Sequence, residues 1–242
     1  KKVQYNNIEQ IIDNIDNDTA AVIMEPIIFE FPDEKYLANI RKITRQKKIL
    51  LIFDEMWTGF RLNLGGAQKY FNIDADLACY SKAVANGMPL SILAGKRKII
   101  NSLNEKSFFY TTFGGETLSL AAAINTINYI KKNSVCRKIQ INGFSLQKNL
   151  IEILNKNNMH YIKVIGYGSR CIFLISHENS QIIKTFIHQE MLLNGILWNG
   201  IINLSYSHNT KHINKISNVF GKICKKINLI GIKKLKENIN GK

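Results

Sequence analysis

Short apolar runs alternate with longer amphipathic stretches through the first half of the chain. Residues 20–24 and 49–53 are apolar, and each run is followed directly by an acidic residue, Glu25 or Asp54. Such runs are typical of strands buried in a parallel sheet. Between them, apolar side chains recur with helical spacing after Asp33, which we expect to cap the helix. These side chains are Tyr36, Leu37, Ile40 and Ile43. The pattern predicts a strand–helix–strand unit.

Two further apolar runs continue the predicted sheet, at residues 76–81 and 90–94. Strands that alternate with helices in this way are typical of α/β proteins. A helix rich in alanine is predicted from Thr117 to about Lys132, whose charge suits a helix C-terminus. A second long helix is predicted from Ser134 to about Asn157.

The pattern changes in the second half of the chain. It predicts a strand at residues 171–176, a helix at 181–193 that ends before Gly195, a strand at 196–206 and a last helix from near Asn209. We place a domain boundary near Asn133. The predicted organisation is therefore an α/β domain at residues 1–133 and a small α+β domain at residues 134–242.

The composition is that of an ordinary globular protein, with 45% of the 242 residues apolar and 21% charged. No apolar run approaches the roughly 18 residues that a membrane-spanning helix needs. No signal-type segment opens the chain. We therefore expect a soluble, cytoplasmic protein with no membrane partner. The four cysteines are scattered in or beside apolar segments, which favours buried, reduced thiols.

The net charge of +15 raises the possibility of a nucleic-acid or anionic-membrane partner. The 33 basic residues are spread along most of the chain and are densest near its end. They lack the interleaved aromatic residues that a surface for single-stranded nucleic acid uses. Solvated lysines on helix faces are the alternative interpretation, and we favour it. We predict no nucleic-acid partner.

Polar residues that end apolar runs are candidate ligand contacts, because open α/β sheets bind ligands at the carboxyl ends of their strands. Asp54 ends one run, Lys82 follows another, and a turn at residues 111–115 with hydroxyl groups and glycines precedes the helix at Thr117. An imine-forming lysine, a carboxylate for a protonated pyridine nitrogen and a phosphate-binding turn are the parts of a pyridoxal phosphate site. Singly, each is more often a surface lysine, a turn former or a loop glycine.

Three stretches strengthen the interpretation because they follow one another in a recognisable order: Leu51–Arg61, Tyr80–Pro89 and Thr111–Glu116. Together they closely resemble the signature blocks of class III pyridoxal-phosphate aminotransferases. Two others are similar to the branch of glutamate-1-semialdehyde 2,1-aminomutase and its polysaccharide-associated relatives: Gly65–Leu77, and Asn194–Leu197 followed by Ser207-His208. The resemblance extends over nearly the whole chain.

The resemblance implies a fold, a cofactor and a set of site residues. The implied fold is α/β, the PLP-dependent transferase fold type I, with an aspartate aminotransferase-like large domain and a small α+β C-terminal domain. The implied cofactor is pyridoxal 5'-phosphate, with Lys82 as its Schiff-base lysine and Asp54 as the partner of its pyridine nitrogen. Thr112 would contact the phosphate of the neighbouring subunit's cofactor, which implies a homodimer. Glu25 would lie near the site, in direct contact or as a carboxylate that positions loops. No metal site is implied.

Three departures from the family stand out, and one of them, the missing arginine, bears on the substrate. Trp57 stands where some members carry a glutamine near the cofactor's phenolic oxygen, and it can only donate, through its indole N–H. The arginine that binds α-carboxylates is absent from residues 201–206, so an ordinary 2-oxo acid held by two parallel hydrogen bonds is not expected. The chain is also shorter than the family norm after Glu30. We expect an amino-aldehyde or a keto-sugar substrate.

Family members carry three features upstream of the region that matches residues 20–26: an N-terminal small-domain segment, a Gly-Ser phosphate cup and an aromatic residue that stacks on the cofactor ring. This sequence contains none of them, so we expect a large domain truncated at its N-terminal side. Two hypotheses remain. The first is a PLP-dependent aminotransferase or aminomutase that needs an upstream segment. The second is a non-catalytic remnant or partner subunit of a split aminotransferase.

Overall fold

The structure is a computed structural model that describes residues 1–108 and 111–239. The chain divides into two compact units, Lys1–Arg137 and Lys138–Lys242. The division falls within a long helix, a few residues after the boundary that the sequence predicts near Asn133.

The first unit contains a four-stranded sheet of order β1-β2-β3-β4. Strands β1, β2 and β3 are parallel, and β4 is antiparallel to β3. In chain order the elements are α1 (Ile8–Asn14), β1 (Ala21–Met24), α2 (Tyr36–Gln46), β2 (Leu50–Asp54), α3 (Gly66–Phe71), β3 (Leu77–Tyr80), a 3-10 helix (Lys82–Val84), β4 (Ile92–Gly95), α4 (Arg97–Lys106) and α5 (Thr117–Asn133). The predicted strand–helix–strand unit is therefore confirmed as β1, α2 and β2.

The start of α2 differs from the prediction. Lys35 is the N-cap residue, and no side chain caps the helix. Asp33 contributes its backbone carbonyl instead, which accepts a hydrogen bond from the Tyr36 amide at 2.9 Å. The predicted side-chain cap at Asp33 is wrong, because the turn places this residue too early to reach the first free amides with its carboxylate.

Helices α1 and α2 cover one face of the sheet. Their apolar residues pack against alternate residues of the strands and form the buried cluster Ile11, Tyr36, Leu37, Ile40, Leu51, Phe53, Ala75 and Ala78. The opposite face carries the other alternate residues, because side chains of a strand point to the two faces in turn. On that face Ile23 is 66% exposed and Leu93 is 45% exposed. The first unit therefore has an open apolar face.

A buried ion pair stabilises the edge of the sheet at which β2 and β3 begin. Asp76 lies directly before β3 and accepts hydrogen bonds from Arg41 Nη1 at 2.7 Å and from the Leu51 amide at 2.8 Å. Lys96 also pairs with this carboxylate from the exposed side. Burial alone would raise the pKa of Asp76, but the bonds from Arg41, Leu51 and Lys96 outweigh it and lower the pKa to about 2.

The second unit is α+β. Helix α6 (Val135–Lys156) leads into an antiparallel sheet of order β5-β6-β7, formed by Ile162–Tyr167, Arg170–Ile175 and Ile201–Asn203. Helix α7 (Ser180–Leu193), helix α8 (Thr210–Ile230) and a 3-10 helix (Ile232–Asn238) complete it. The side chain of Asn209 caps α8, so the predicted start of this helix is confirmed.

Two sequence predictions fail in the second unit. Strand β5 was not predicted, although it forms a tight hairpin with β6 in which Tyr167 pairs with Arg170. The predicted strand at residues 196–206 is reduced to Ile201–Asn203. Gly200 before it adopts a φ of +96°, and the His208 amide after it bonds back to the Ser205 carbonyl in a turn. The chain is therefore not extended on either side of β7.

Two predictions from composition can be compared with the structure. No helix among the described residues is both long and apolar enough to cross a membrane. All four cysteines are free; Cys136, Cys171 and Cys224 are buried, and Cys79 is half-buried.

Candidate functional site

Three of the residues singled out from the sequence lie at one edge of the four-stranded sheet. Strands β1, β2 and β3 are parallel, so their carboxyl ends meet at the same edge. Glu25 follows β1, Asp54 is the last residue of β2, and Lys82 lies two residues beyond β3. The register supports this, since Met24 pairs with Phe53 and Asp54 with Cys79.

Lys82 has a left-handed backbone, with φ of +50°. This region is unfavourable for residues with a side chain, and such conformations concentrate at functional sites. The residue is exposed and opens the 3-10 helix Lys82–Val84. The preceding Ser81 donates a hydrogen bond from its hydroxyl to the Leu90 carbonyl at 2.7 Å, which closes the loop between β3 and β4. Lys82 therefore lies in a loop that the hydrogen bond between Ser81 and Leu90 holds against the sheet.

Asp54 is half-buried and retains acceptor capacity. Its Oδ1 accepts a hydrogen bond from the Met56 amide at 2.9 Å. No residue that the structure describes donates to its second oxygen, Oδ2. The carboxylate also affects Cys79, whose thiol has a pKa raised by burial and then by the charge of Asp54. Asp54 is therefore a negative charge at the strand end with an oxygen available to a ligand.

Glu55 is the anchor of the loop that follows β2, and sequence analysis assigned it no role. Its side chain is fully buried. Its Oε2 accepts hydrogen bonds from Thr58 Oγ1 at 2.7 Å and from the Ala67 amide at 2.6 Å, and its Oε1 accepts one from the Gln68 amide at 3.1 Å. A buried carboxylate costs free energy unless it is paired in this way. Glu55 therefore fixes residues 55–68 against the sheet.

Gln68 extends this anchor to β3. Its Nε2 donates to Tyr80 Oη at 2.9 Å, and its Oε1 accepts from the Ala75 amide at 2.9 Å. Burial, together with the charge of Glu55, raises the pKa of Tyr80 to about 12. The tyrosine therefore remains neutral and ties the end of β3, near Lys82, to the start of α3.

Trp57 lies on the anchored loop and contacts the lysine. The Lys82 ammonium group stands over the indole ring, with Nζ 4.6 Å from the ring centroid. This is within the range of a cation–π interaction. The two residues beside Trp57 are both tied to carboxylates, Met56 to Asp54 and Thr58 to Glu55.

Thr112 is exposed and lies in a turn before α5. No hydrogen bond or ring contact among the described residues joins it to Asp54 or Lys82. The Glu116 carboxylate accepts hydrogen bonds from the amides of Leu118 at 2.9 Å and Ser119 at 2.6 Å. The start of α5, which the sequence offers as part of a phosphate site, is thus already capped by a carboxylate. A phosphate here would rely on the Thr112 hydroxyl and the amides of the turn.

The anchoring residues carried a signal that could have identified them. One signal is Glu55, an acidic residue directly after Asp54, at which the strand ends. The other is the pair Gly65-Gly66 at the start of a short helix. A buried carboxylate that caps a helix start explains both. Gly66 has φ of +65°, and any side chain there would overlap the Glu55 carboxylate.

Comparison with known proteins gives the family. The family model described as "Aminotransferase class-III" matches residues 1–210. Glutamate-1-semialdehyde 2,1-aminomutase of Methanosarcina acetivorans is 33% identical over 211 residues, which are 79% of this chain and 49% of that protein. The enzyme of the same name from Methanococcoides burtonii is 36% identical over 66% of this chain and 40% of that protein. The chain spans less than half the length of these relatives.

Solved structures give the fold. The FumI protein of Sphingopyxis sp. MTA144, solved in a PLP form, superposes with a TM-score of 0.86 at 21% identity, over 95% of this chain and 58% of that chain. The α/β architecture is accordingly that of PLP-dependent transferases of fold type I. Because the family model matches residues 1–210 of this 242-residue chain, the chain belongs to the class III aminotransferases.

Proposed function

We propose that this chain is the lysine-bearing part of a PLP-dependent aminotransferase or aminomutase that acts on an amino-aldehyde or a keto-sugar. The observation that carries the proposal is the placement of Lys82, in a left-handed backbone, at the same sheet edge as Asp54. The names of the relatives, glutamate-1-semialdehyde 2,1-aminomutase, support the first of the two substrate classes.

The residues at the edge fit one half of pyridoxal 5'-phosphate. When bound, this cofactor supplies an electron-withdrawing ring that stabilises negative charge next to the substrate amine. Asp54 Oδ2 can accept a hydrogen bond from a protonated ring nitrogen and hold its positive charge. Lys82 is an exposed amine that would hold the cofactor through its aldehyde carbon, with loss of water, and would move a proton when it is free again. Glu25, the third residue at this edge, is proposed as a contact or a loop-positioning carboxylate.

The phosphate side of the site is less complete. Thr112 has an exposed hydroxyl, but the nearby helix start is occupied by the Glu116 carboxylate. We propose that Thr112 serves the cofactor of a second copy in a homodimer, and that tight cofactor binding needs a polypeptide segment that contributes further phosphate contacts. A cytoplasmic location is part of the same proposal.

The alternative function is a non-catalytic remnant or the partner subunit of a split aminotransferase. It is favoured by the open apolar face of the sheet. The position of Lys82 at the same sheet edge as Asp54 favours the enzyme.

The experiment that tests the proposal is a titration with pyridoxal phosphate. The cofactor is added to the 242-residue chain alone, and to the chain mixed with the N-terminal half of a glutamate-1-semialdehyde aminomutase relative, while visible absorbance is recorded. Borohydride then fixes the bound cofactor, and peptide mass spectrometry locates it. Lys82→Ala is the test variant and Lys69→Ala, which removes an exposed lysine on α3, is the control.

We expect weak binding to the chain alone, strong binding in the mixture, and attachment at Lys82 that is lost in Lys82→Ala and kept in Lys69→Ala. Attachment at another lysine would overturn the assignment of Lys82. Saturation of the isolated, monodisperse chain at micromolar cofactor would overturn the proposal that a further segment is needed. Absence of attachment in the mixture would favour the non-catalytic alternative.

A further inference from the structure

The contact between Lys82 and Trp57 is a feature of this chain that the family resemblance does not supply. A lysine ammonium group over an indole face is attracted by the negative face of the ring. Lys82 is exposed, so its four-carbon side chain would otherwise sample many rotamers in water. The contact at 4.6 Å from the ring centroid selects the rotamers that keep Nζ near the end of β3.

The indole can restrain the lysine because it is itself held in place. The Met56 amide, on one side of Trp57, is bonded to Asp54 at 2.9 Å. On the other side, Thr58 Oγ1 is bonded to Glu55 at 2.7 Å, and the Gly59 amide donates to the Glu55 carbonyl at 2.8 Å. The backbone around Trp57 is therefore tied to two carboxylates of the strand end. The indole is therefore carried on a fixed backbone.

We propose that Trp57 is a positioning residue for Lys82. Its indole face holds the ammonium group of the cofactor-free chain beside the carboxyl end of β2, where Asp54 lies. The inference rests on the proposed function for its biological meaning, since Lys82 is the amine that would meet the cofactor. The contact itself requires no cofactor.

The positioning role has a chemical consequence. Acylation needs the nitrogen lone pair free to attack the acyl carbon, and the amine loses one proton as that bond forms and the leaving group departs. The indole face covers one side of Nζ, and the ammonium group must leave the ring before the amine can be attacked from that side. Lys82 should therefore react more slowly with an acetylating reagent than it would without the ring.

Competitive acetylation of the cofactor-free chain tests the proposal. Wild type, Trp57→Phe and Trp57→Leu are labelled briefly, and the rate at each lysine is obtained by peptide mass spectrometry. Lys138 is the internal control, because it stands over a different ring, that of Tyr206, at 5.1 Å. We expect Lys82 to react about two- to fivefold faster in Trp57→Leu, the effect of losing one exposed cation–π contact. In Trp57→Phe the acetylation rate at Lys82 should lie between those of wild type and Trp57→Leu. The rate at Lys138 should not change in either variant.

An unchanged rate at Lys82 in Trp57→Leu would overturn the proposal. A rise at every lysine would indicate unfolding, and a second measurement then decides. Tryptophan emission is compared in wild type, Lys82→Met, Trp57→Phe and the double variant. A nearby ammonium group quenches indole emission. Lys82→Met should therefore increase the tryptophan emission in the wild-type background and leave it unchanged in the Trp57→Phe background. An equal change in both backgrounds, or none in either, counts against the contact.

Neither measurement uses a cofactor. If Lys82 fails to bind pyridoxal phosphate, the proposed function fails while the acetylation result stands. If the rates do not depend on Trp57, the positioning role fails while the titration result stands.

Discussion

Gly66 and Glu55 are matched to each other. A side chain on Gly66 would lie in the space that the Glu55 carboxylate fills, and Gly66 has φ of +65°, which residues other than glycine adopt at a cost. The carboxylate can be buried beside α3 only because this residue lacks a Cβ. The relationship makes the loop that carries Trp57 dependent on both residues.

Gly66→Ala should therefore destabilise the chain by about 2 to 4 kcal/mol, through overlap with Glu55 added to backbone strain. Gly115→Ala is the matched control, since Gly115 has a similar φ of +74° but no atom within 4 Å of an added Cβ. Gly115→Ala should lower the free energy of unfolding only by the cost of the backbone strain. The measurement is the free energy of unfolding from urea denaturation. Equal losses in the two variants would show that the overlap with Glu55 is relieved at no cost.

Glu55→Gln should also destabilise the chain, by about 2 to 4 kcal/mol. The substitution keeps the shape of the side chain, but it removes the charge that accepts three hydrogen bonds and turns an amide N–H₂ toward backbone donors. Glu30→Gln, at an exposed glutamate, is the control and should be neutral. Urea denaturation of both variants gives the comparison. A neutral Glu55→Gln would mean that the loop is held by other contacts.

The Asp76 ion pair predicts a loss of stability in acid. The pKa of Asp76 is about 2 in the folded chain and 3.8 as its ordinary value, so the folded state favours the charged form. The stabilisation, about 2 kcal/mol, is complete above about pH 5 and is lost progressively as the pH falls from there through 2. Wild type should therefore lose more stability between pH 5 and pH 3 than Asp76→Asn does.

The control for this pH effect is Asp16. Its pKa is lowered to about 2 by hydrogen bonds from Lys1 and Thr19, but the pair is exposed. Solvent and salt screen such a pair, so Asp16→Asn should change the pH dependence little at high salt. If Asp16→Asn and Asp76→Asn behave alike, the burial of Asp76 is not what matters.

Asp54→Asn should slow turnover of the reconstituted enzyme by about a thousandfold or more, because the amide cannot hold positive charge on the ring nitrogen. Cofactor attachment at Lys82 should be partly retained. Asp74→Asn, at an exposed aspartate three residues before β3, is the control. Single-turnover kinetics provide the rates. Turnover near the wild-type rate in Asp54→Asn would remove Asp54 from this role.

The open face of the sheet predicts self-association of the isolated chain. Ile23 and Leu93 lie on the face that α1 and α2 leave uncovered, and exposed apolar patches drive association. Ile23→Thr combined with Leu93→Thr should shift the sedimentation profile toward monomer. Ile12→Thr, which alters an apolar residue of α1 that is 50% exposed, should have little effect. Monomeric wild type at high concentration would contradict the prediction.

Sequence reasoning predicted the sheet edge because its signals are local. Apolar runs that end at Glu25 and Asp54, and the segment that ends before Lys82, give the strands and their order in the chain. Parallel pairing then brings the ends together without further information. The left-handed backbone of Lys82 has no such signal, because it depends on the antiparallel return of β4 and the Ser81 bond to Leu90.

The contacts that hold the site could not be predicted from pattern alone. Glu55 looks like a second acidic residue of a turn, and only the fold shows that α3 presents two amides to it. The capping of α5 by Glu116 is another case. If the Glu116 side chain pointed away, the first amides of the helix would be open to an anion, and the sequence is the same in both arrangements. In both, the partner is a backbone amide, which every residue but proline carries.

The antiparallel return of β4 makes the lysine segment a local structure. Tyr80 pairs with Ile92 across a loop of residues 81–91, whereas Asp54 and its neighbour Cys79 are separated by a longer segment that contains α3. Short loops close faster than long ones because less chain entropy is lost. We therefore expect the hairpin that carries Lys82 to form early in folding and the pairing that brings Asp54 to it to form later. A folding intermediate of this chain would then hold the amine in its final conformation before the carboxylate arrives.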